Sequence, residues 1–389
     1  MKRRHLCILG LLASSTLASA CSDDSKPPST TGGNTAQTGT FIITASGGTP
    51  ARSGYDFPFT DAGFVDGWEV KFTEVLVTVD KITLAETPDS SPADPSKTGT
   101  VVAEVDGPFV IDLQKGGTLD GKGEKGEKAV QIATLDKQNK NADKPFDAGK
   151  RYAFGFSIVP ATEDAKFVST LDAQAKTDYT MMTQKGYTVL YVGTATFKGT
   201  ACTPVDPEFD KLPKVVNFKL GFKSPTSYLN CQNPDADSAK HLGTEEHQRG
   251  VVVKANEAVT AQITLHLAHP FWESFAHDSP AHFDQIAARY VGVPGTPTAV
   301  LEDLIGVDPK VIKDKDGNNL PRRTCTKEYT PPNAGTMAFD TGSILVDPAG
   351  EPTKTIRDLY DFATYNQSTQ GHLNAEGLCF VKRNYPSPP

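Results

Sequence analysis

Half of the chain's histidines lie in one short segment. Of the eight histidines in the sequence, four fall within ITLHLAHPFWESFAHDSPAHFDQ, between positions 263 and 285: His266, His269, His277 and His282. Imidazole and carboxylate groups are the side-chain ligands that suit zinc, copper and iron. The cluster therefore predicts a transition-metal site, and zinc or copper is the expected ion.

The pattern of this segment predicts a strand that ends at the histidines. Apolar residues occupy alternate positions from 261 to 267 and share one face, whereas His266 lies on the opposite face. Pro270 ends the strand directly after His269, and a turn there would bring the two imidazoles together. His282 follows on a predicted helix. We therefore expect His266, His269 and His282 to be metal ligands.

A further pair of candidate ligands stands near the C-terminus, in QGHLNAEGLC. His372 and Glu376 are four residues apart, so they share a face if this piece is helical. We expect one of them to complete the metal shell. Because HxxH is a loose pattern, a purely structural role remains the alternative for the histidines of both segments. The histidines would then bond to backbone or water at a sheet edge, and the C-terminal piece would end the chain with glycine turns.

The sequence lacks the motifs of the common catalytic sites. It contains no GxSxG, no HExxH and no P-loop spacing, so we predict a protein that is not an enzyme. KDKDGNN places Asp314, Asp316 and Asn318 at alternate positions, as a calcium loop does. The glycine stands fourth rather than sixth and no Glu closes the loop, so an Asp-Gly turn is expected there.

The net charge of the chain and its distribution limit the kinds of molecule that it can bind. The net charge is −8, and the acidic and basic residues are interspersed rather than grouped. Nucleic acid is excluded as a partner because phosphate binding needs a basic stripe. The alternative to a metal-binding protein is a structural or interaction module that binds a protein or glycan partner at the cell surface.

The N-terminus has the features of an export signal. Residues 1–20 combine three basic residues, a short apolar run and small residues, which predicts a signal peptide. LASAC resembles the lipobox of bacterial lipoproteins, so Cys21 is predicted to be acylated and to attach the chain to a membrane. Ordinary cleavage after Ala20 is the alternative. Ser22 then favours the outer membrane, and polar residues 21–39 form the acylated cysteine and a flexible tether.

Four cysteines follow the tether: Cys202, Cys231, Cys325 and Cys379. An even number of cysteines in an exported chain predicts disulfides, here two. Of the three possible connectivities, we expect the neighbours in sequence to pair, as Cys202–Cys231 and Cys325–Cys379. The absence of any CxxC pair makes a cysteine metal site the weaker interpretation.

The remaining chain divides by pattern into a strand-rich and a helical part. Residues 40–270 contain eight or more strands, the longest in GWEVKFTEVLVTVDKITLAE, and a short helix within Asp164–Gln184. This predicts an antiparallel β-sandwich. In residues 271–389, SPAHFDQIAARYVG, TPTAVLEDLIGV and TKTIRDLYDFATYN each predict a helix. We expect this helix-and-loop region to pack on the sandwich.

Several of these segments resemble a known group of proteins. DGWEVKFTEVLVTVDKITL, ITLHLAHPFW, HFDQIAA, VLEDL and GHLNAEGLC together resemble uncharacterised surface lipoproteins of myxobacteria and related bacteria. The resemblance spans most of the mature chain and implies a surface lipoprotein without indicating an activity. The strand order and the Trp-bearing first strand are also similar to periplasmic copper-binding partner proteins of methanobactin systems, which is an analogy of architecture.

Overall fold

A computed structural model of the chain describes residues 38–58, 63–235, 243, 245–274, 279–289, 298–307, 312–313, 319–320, 322–326 and 358–384. The predicted signal peptide, Cys21, His277 and the predicted Asp-Gly turn at 314–318 lie outside these residues. Within the described part of the chain, no helix is long and apolar enough to cross a membrane.

Strands account for most of the regular structure that is described. In chain order the strands are β1 (Thr38–Ser46), β2 (Trp68–Ala85), β3 (Val101–Val105), β4 (Phe109–Asp112), β5 (Leu119–Asp120), β6 (Lys128–Leu135), β7 (Lys137–Gln138), β8 (Lys144–Asp147), β9 (Arg151–Ile158), β10 (Lys166–Phe167), β11 (Val189–Phe197), β12 (Val215–Phe222), β13 (Thr226–Leu229), β14 (Val251–Val252), β15 (Ala258–Leu265), β16 (Thr298–Val300), β17 (Ile312–Lys313), β18 (Asn319–Leu320), β19 (Gly371–Leu373), β20 (Gly377–Leu378) and β21 (Phe380–Arg383). The α-helices are α1 (Gly48–Ser53), α2 (Ala173–Lys185), α3 (Asp284–Arg289) and α4 (Leu359–Gln367). Short 3-10 helices are Pro207–Lys211, His269–Phe271 and Leu301–Leu304.

These strands form two large sheets. The first sheet has the order β20-β19-β15-β1-β6-β5, and β8 joins it through β1 and pairs with β7. The second has the order β16-β12-β11-β2-β9-β13-β21, with β3, β4, β10 and β14 attached. The pairing is mostly antiparallel, with parallel pairs at β1–β15, β4–β10 and β12–β16. The predicted mainly β fold with few helices is confirmed.

The main hydrophobic core joins the two sheets. Alternate residues Phe41 and Ile43 of β1 and Ile263 of β15 are fully buried, and they belong to one cluster with Trp68 and Val70 of β2. Because successive side chains of a strand point to opposite faces, each sheet can present one apolar face to the other. A fully buried side chain of this size contributes about 1.5–3 kcal/mol, so this cluster dominates the stability of the fold.

A second core covers the outer face of the larger sheet. Leu76 of β2 and Leu190 of β11 pack there with Tyr179 and Met182 of helix α2. This helix confirms the one predicted within Asp164–Gln184. Its N-cap side chain accepts a hydrogen bond from the Ala175 N–H at 3.0 Å, and Gly186 in the left-handed region ends it. The helix explains why β2 is apolar on both faces in its middle.

The C-terminal part is less helical than the sequence predicts. Helix α4 overlaps TKTIRDLYDFATYN as expected and ends one residue after it, at Gln367, but helix α3 is only six residues long. TPTAVLEDLIGV was expected to be helical and instead forms strand β16 and a 3-10 turn. Parallel pairing of Thr298–Val300 with Asn217–Lys219 of β12 overrides the local helix signal there.

The chain end also supplies strands to both sheets. QGHLNAEGLC forms the hairpin β19–β20 rather than a helix, and β19 pairs antiparallel with β15. β21 pairs with β13 of the other sheet. His372 and Glu376 therefore lie on a strand and on the following turn, and they do not share a helix face.

The disulfides do not link the neighbours in sequence. The observed bonds are Cys202–Cys325 and Cys231–Cys379, so the predicted pairing is wrong. Backbone contacts explain the difference. Thr203 and Thr324 exchange two hydrogen bonds of 2.8 Å, which places the cysteines before and after them side by side. Likewise the Gln232 N–H donates to the Leu378 carbonyl at 2.8 Å, next to the second bond.

Each disulfide closes a long loop and should stabilise the fold strongly. The Cys202–Cys325 bond spans 123 residues, and restricting an unfolded loop of that length contributes about 4–5 kcal/mol. We expect C202S/C325S to lower the free energy of unfolding by about that amount in urea titrations. Peptide mapping without reductant should find the two observed linkages. A peptide that links Cys202 to Cys231 would contradict this connectivity.

Candidate metal centre

Three separate elements bring three histidines together. His266 follows the last residue of β15, and its backbone N–H donates to the Gln370 carbonyl at 3.0 Å. His269 begins the 3-10 helix that contains Pro270, so the chain turns where the sequence predicts. His372 lies on β19 opposite Thr264 of β15. The antiparallel pairing therefore adds a residue over one hundred positions away to the two at the strand end.

The three imidazoles are close enough to share an ion. The ring centroids are 4.4 Å apart for His266 and His372, 5.6 Å for His266 and His269, and 5.7 Å for His269 and His372. One nitrogen from each ring lies within 4.8 Å of the other two. With zinc–nitrogen bonds of ~2.0–2.1 Å, nitrogens on a tetrahedral ion are about 3.3 Å apart. Side-chain adjustments on the order of 1 Å would complete such a site.

A hydrogen bond fixes the orientation of His269. Its Nδ1 lies 2.8 Å from the Thr369 hydroxyl oxygen. That hydroxyl already donates its proton to the Asn366 carbonyl at 2.8 Å, so it accepts from His269. The proton of the neutral ring therefore lies on Nδ1, and Nε2 carries the lone pair. Metal-binding histidines usually donate a hydrogen bond from the ring nitrogen that does not hold the metal, and this bond orients the ring.

His266 is oriented in the same way by the hairpin turn. Its Nε2 lies 2.9 Å from the Ala375 carbonyl oxygen, which only accepts hydrogen bonds. Nε2 therefore donates, and Nδ1 carries the lone pair of the neutral ring. Neutral partners thus set the tautomer of His266 and His269, and a hydrogen bond of this kind is what orients metal-binding histidines in proteins.

Two of the expected ligands, Glu376 and His282, lie outside the three-histidine group. Glu376 is exposed, and its Oε1 lies 3.9 Å from Nε2 of His266, beside the three-histidine group rather than in it. His282 does not belong to the group. Its Nε2 lies 2.8 Å from Oε2 of Glu273, and its Nδ1 lies 3.8 Å from Oδ2 of Asp66. The structure therefore gives His372 the place that the sequence assigned to His282.

His282 belongs to a buried network of charged residues. Asp66 accepts from the backbone N–H groups of Phe283 and Asp284 at 2.7 and 2.8 Å, at the start of helix α3. Two oxygens of Asp284 accept from Arg323 at 2.7 and 2.8 Å. Arg322 lies 2.8 Å from Glu273. No sequence motif marks this network, because its members come from three distant segments. Its hydrogen bonds and ion pairs hold these three segments together.

A cleft of about 500 Å³ opens beside the histidines. We call it the acidic cleft, because carboxylates are prominent among the residues that line it. Its lining includes Pro50, Tyr55, Asp56, Glu124, Glu127, His266, His269, Trp272 and Glu376. Its volume is within the range of small-molecule sites, about 300–1,000 Å³. The side chain of His266 is 25 % exposed, whereas His269 and His372 are each 1 % exposed. Solvent therefore reaches the histidines at His266.

Comparison with known proteins identifies no relative. No family model matches the chain. No curated protein and no solved structure is significantly similar to it. The function has to be argued from the site itself.

The charged network should make stability depend on pH. Burial, and then the nearby Asp284 carboxylate, raise the pKa of Asp66 to about 7. The folded state therefore binds this proton more tightly than the unfolded chain, and the resulting stabilisation is lost as the pH rises through about 7. D66N stays neutral and keeps an oxygen acceptor for the two backbone N–H groups.

We expect the unfolding free energy of the wild type to fall between pH 5 and pH 8 by roughly 2 kcal/mol more than that of D66N. Urea titrations at both pH values measure this difference. Parallel pH dependences for the two proteins would contradict the assignment.

Proposed function

We propose that this chain is a lipid-anchored protein of a bacterial cell envelope that binds a transition-metal ion, zinc or copper, through His266, His269 and His372. The observation that carries the proposal is the convergence of three imidazoles from different elements, two of them with the tautomer set by Thr369 and by the Ala375 carbonyl. Nitrogen donors of this kind suit both ions. The proposed role is binding rather than catalysis.

The envelope location is supported by two independent features. The first is the signal-like N-terminus with Cys21 after Ala-Ser-Ala. The second is the pair of disulfides in the folded body, because such bonds persist in oxidising compartments outside the cytosol. An anchored cysteine followed by a polar tether would hold the metal-binding body away from the membrane surface.

The metal site can be tested by stoichiometry. We expect the mature chain, purified in detergent and stripped with a chelator, to bind about one equivalent of zinc or copper. H269A/H372A should bind no stoichiometric metal, because one imidazole cannot hold the ion. H247A is the matched control, since His247 lies outside the three-histidine group. Elemental analysis after desalting gives the result, and equal metal in the wild type and H269A/H372A would refute the site.

A second variant separates metal binding from folding. T369V removes the hydroxyl that accepts from His269 and leaves all three histidines in place. Loss of such a supporting bond weakens metal affinity by about 10–100-fold. T180V is its control, because Thr180 bonds only within helix α2 in the described structure. An unchanged affinity in T369V would contradict the tautomer assigned to His269.

The anchor is tested at the N-terminus. We expect mass spectrometry of the mature protein to find an N-terminal peptide that begins at Cys21 and carries acyl chains. C21S should move the protein from the membrane fraction to the soluble fraction, because single-chain or absent acylation does not hold a protein on a bilayer. An unmodified N-terminus at Cys21 would show ordinary secretory cleavage instead.

A further inference from the structure

We infer that the acidic cleft binds a small ligand that coordinates the metal ion at one end and carries an ammonium group at the other. His266 and His269 form one part of the wall of this cleft, and the carboxylates of Asp56, Glu124, Glu127 and Glu376 also line it. The inference rests on the proposed metal site. It adds the chemical class of the ligand for which that site is shaped.

The ion would keep a coordination position open toward the cleft. Three protein ligands leave a fourth position on a tetrahedral ion, as in sites that bind water or substrate. His266 and His269 line the cleft, whereas His269 and His372 line a second pocket of about 120 Å³. Leu378, Val381 and Cys379 are part of that smaller pocket. Of these two spaces in the described structure, the cleft of about 500 Å³ is the one with room for a ligand larger than a few waters.

The charge of the cleft selects a cation. Asp56, Glu124, Glu127 and Glu376 line it, and no lysine or arginine is among its described lining residues. Lys71 pairs with Asp56. In the described structure, no lysine or arginine forms an ion pair with the other three carboxylates. Their charge of −3 exceeds the +2 of a zinc ion held by neutral imidazoles, so the loaded cleft still attracts a positive group.

Glu127 is buried, and hydrogen bonds fix the position of its carboxylate. It is 2 % exposed, and its two oxygens accept from the Gly123 N–H at 2.7 Å and from Nε2 of Gln262 at 2.8 Å. Both donors are neutral, so they orient the carboxylate without cancelling its charge. The chain is shaped around it, because a Cβ on Gly121 would come within 2.3 Å of the Glu127 side chain. Burying a carboxylate without a counter-ion is costly, and a cationic ligand would recover that cost.

Apolar and aromatic residues also line the acidic cleft. Pro50, Tyr55 and Trp272 line the cleft with His269, and Trp272 stacks on His269 with the ring centroids 3.6 Å apart. Burial, and then the charge of Glu124, raise the pKa of Tyr55, so its phenol stays neutral. An alkyl spacer fits such walls, and an ammonium group gains further from aromatic faces.

Three hydroxamic acids test this inference, because a hydroxamate binds zinc through two oxygens and the rest of the molecule can be varied. The probes are 6-aminohexanohydroxamic acid, neutral acetohydroxamic acid and the monohydroxamate of succinic acid. On the zinc-loaded mature chain, calorimetry should show at least tenfold tighter binding of the amine probe than of acetohydroxamic acid, since hydrogen bonds between charged groups are worth that much. The succinic probe should bind more weakly than either.

Matched variants locate the effect. E124Q/E127Q should reduce the preference for the amine probe to less than about threefold, and it should leave zinc stoichiometry and acetohydroxamic acid binding unchanged. E163Q, an exposed glutamate outside the cleft lining, is the control. If zinc binds and the three probes bind equally, the ligand class is wrong and the metal proposal stands. If zinc does not bind at His266, His269 and His372, both proposals fail.

Discussion

The antiparallel pairing of β15 with β19 is the constraint on which the rest of the site depends. β15 lies between β1 and β19, and its apolar face is buried in the main core. The register places His372 opposite Thr264, two residues before His266. A slip of one residue would turn the His372 side chain to the other face of the sheet. Gly371 helps to hold this register, because a Cβ there would come within 2.5 Å of the Tyr228 ring.

The pairing of β15 with β19 also brings buried polar groups together, and they form hydrogen bonds with one another. The Gln262 N–H donates to Oδ1 of Asn374 at 2.9 Å, and the Ala375 N–H donates to the Thr264 hydroxyl at 3.0 Å. These bonds hold the turn between β19 and β20, where Asn374 and Ala375 have positive φ. Through this turn, the Ala375 carbonyl accepts a hydrogen bond from His266, and Glu376 lines the acidic cleft. One hydrogen-bonded hairpin thus joins the fold, the histidines and the cleft.

Two buried clusters contain histidine, and their partners distinguish them. His282 lies between the carboxylates of Glu273 and Asp66. Buried Arg322 pairs with Glu273, and Asp66 links the start of helix α3 to the segment just before β2. His266 and His269 have neutral hydrogen-bond partners, the Ala375 carbonyl and the Thr369 hydroxyl. The first arrangement links charged residues within the fold, and the second has the kind of hydrogen-bond support that metal-binding histidines have in proteins.

The sequence by itself determined what depends on local pattern: the β-rich fold, helices α2 and α4, the turn at Pro270 beside His266 and His269, and the presence of two disulfides. Only the tertiary structure decided which cysteines pair, that His372 rather than His282 joins the group, and that Glu127 lies in its cleft. These are contacts between segments over one hundred residues apart. Periodicity and spacing describe neighbours along the chain, whereas strand register is set by the burial and hydrogen bonding of the whole sheet.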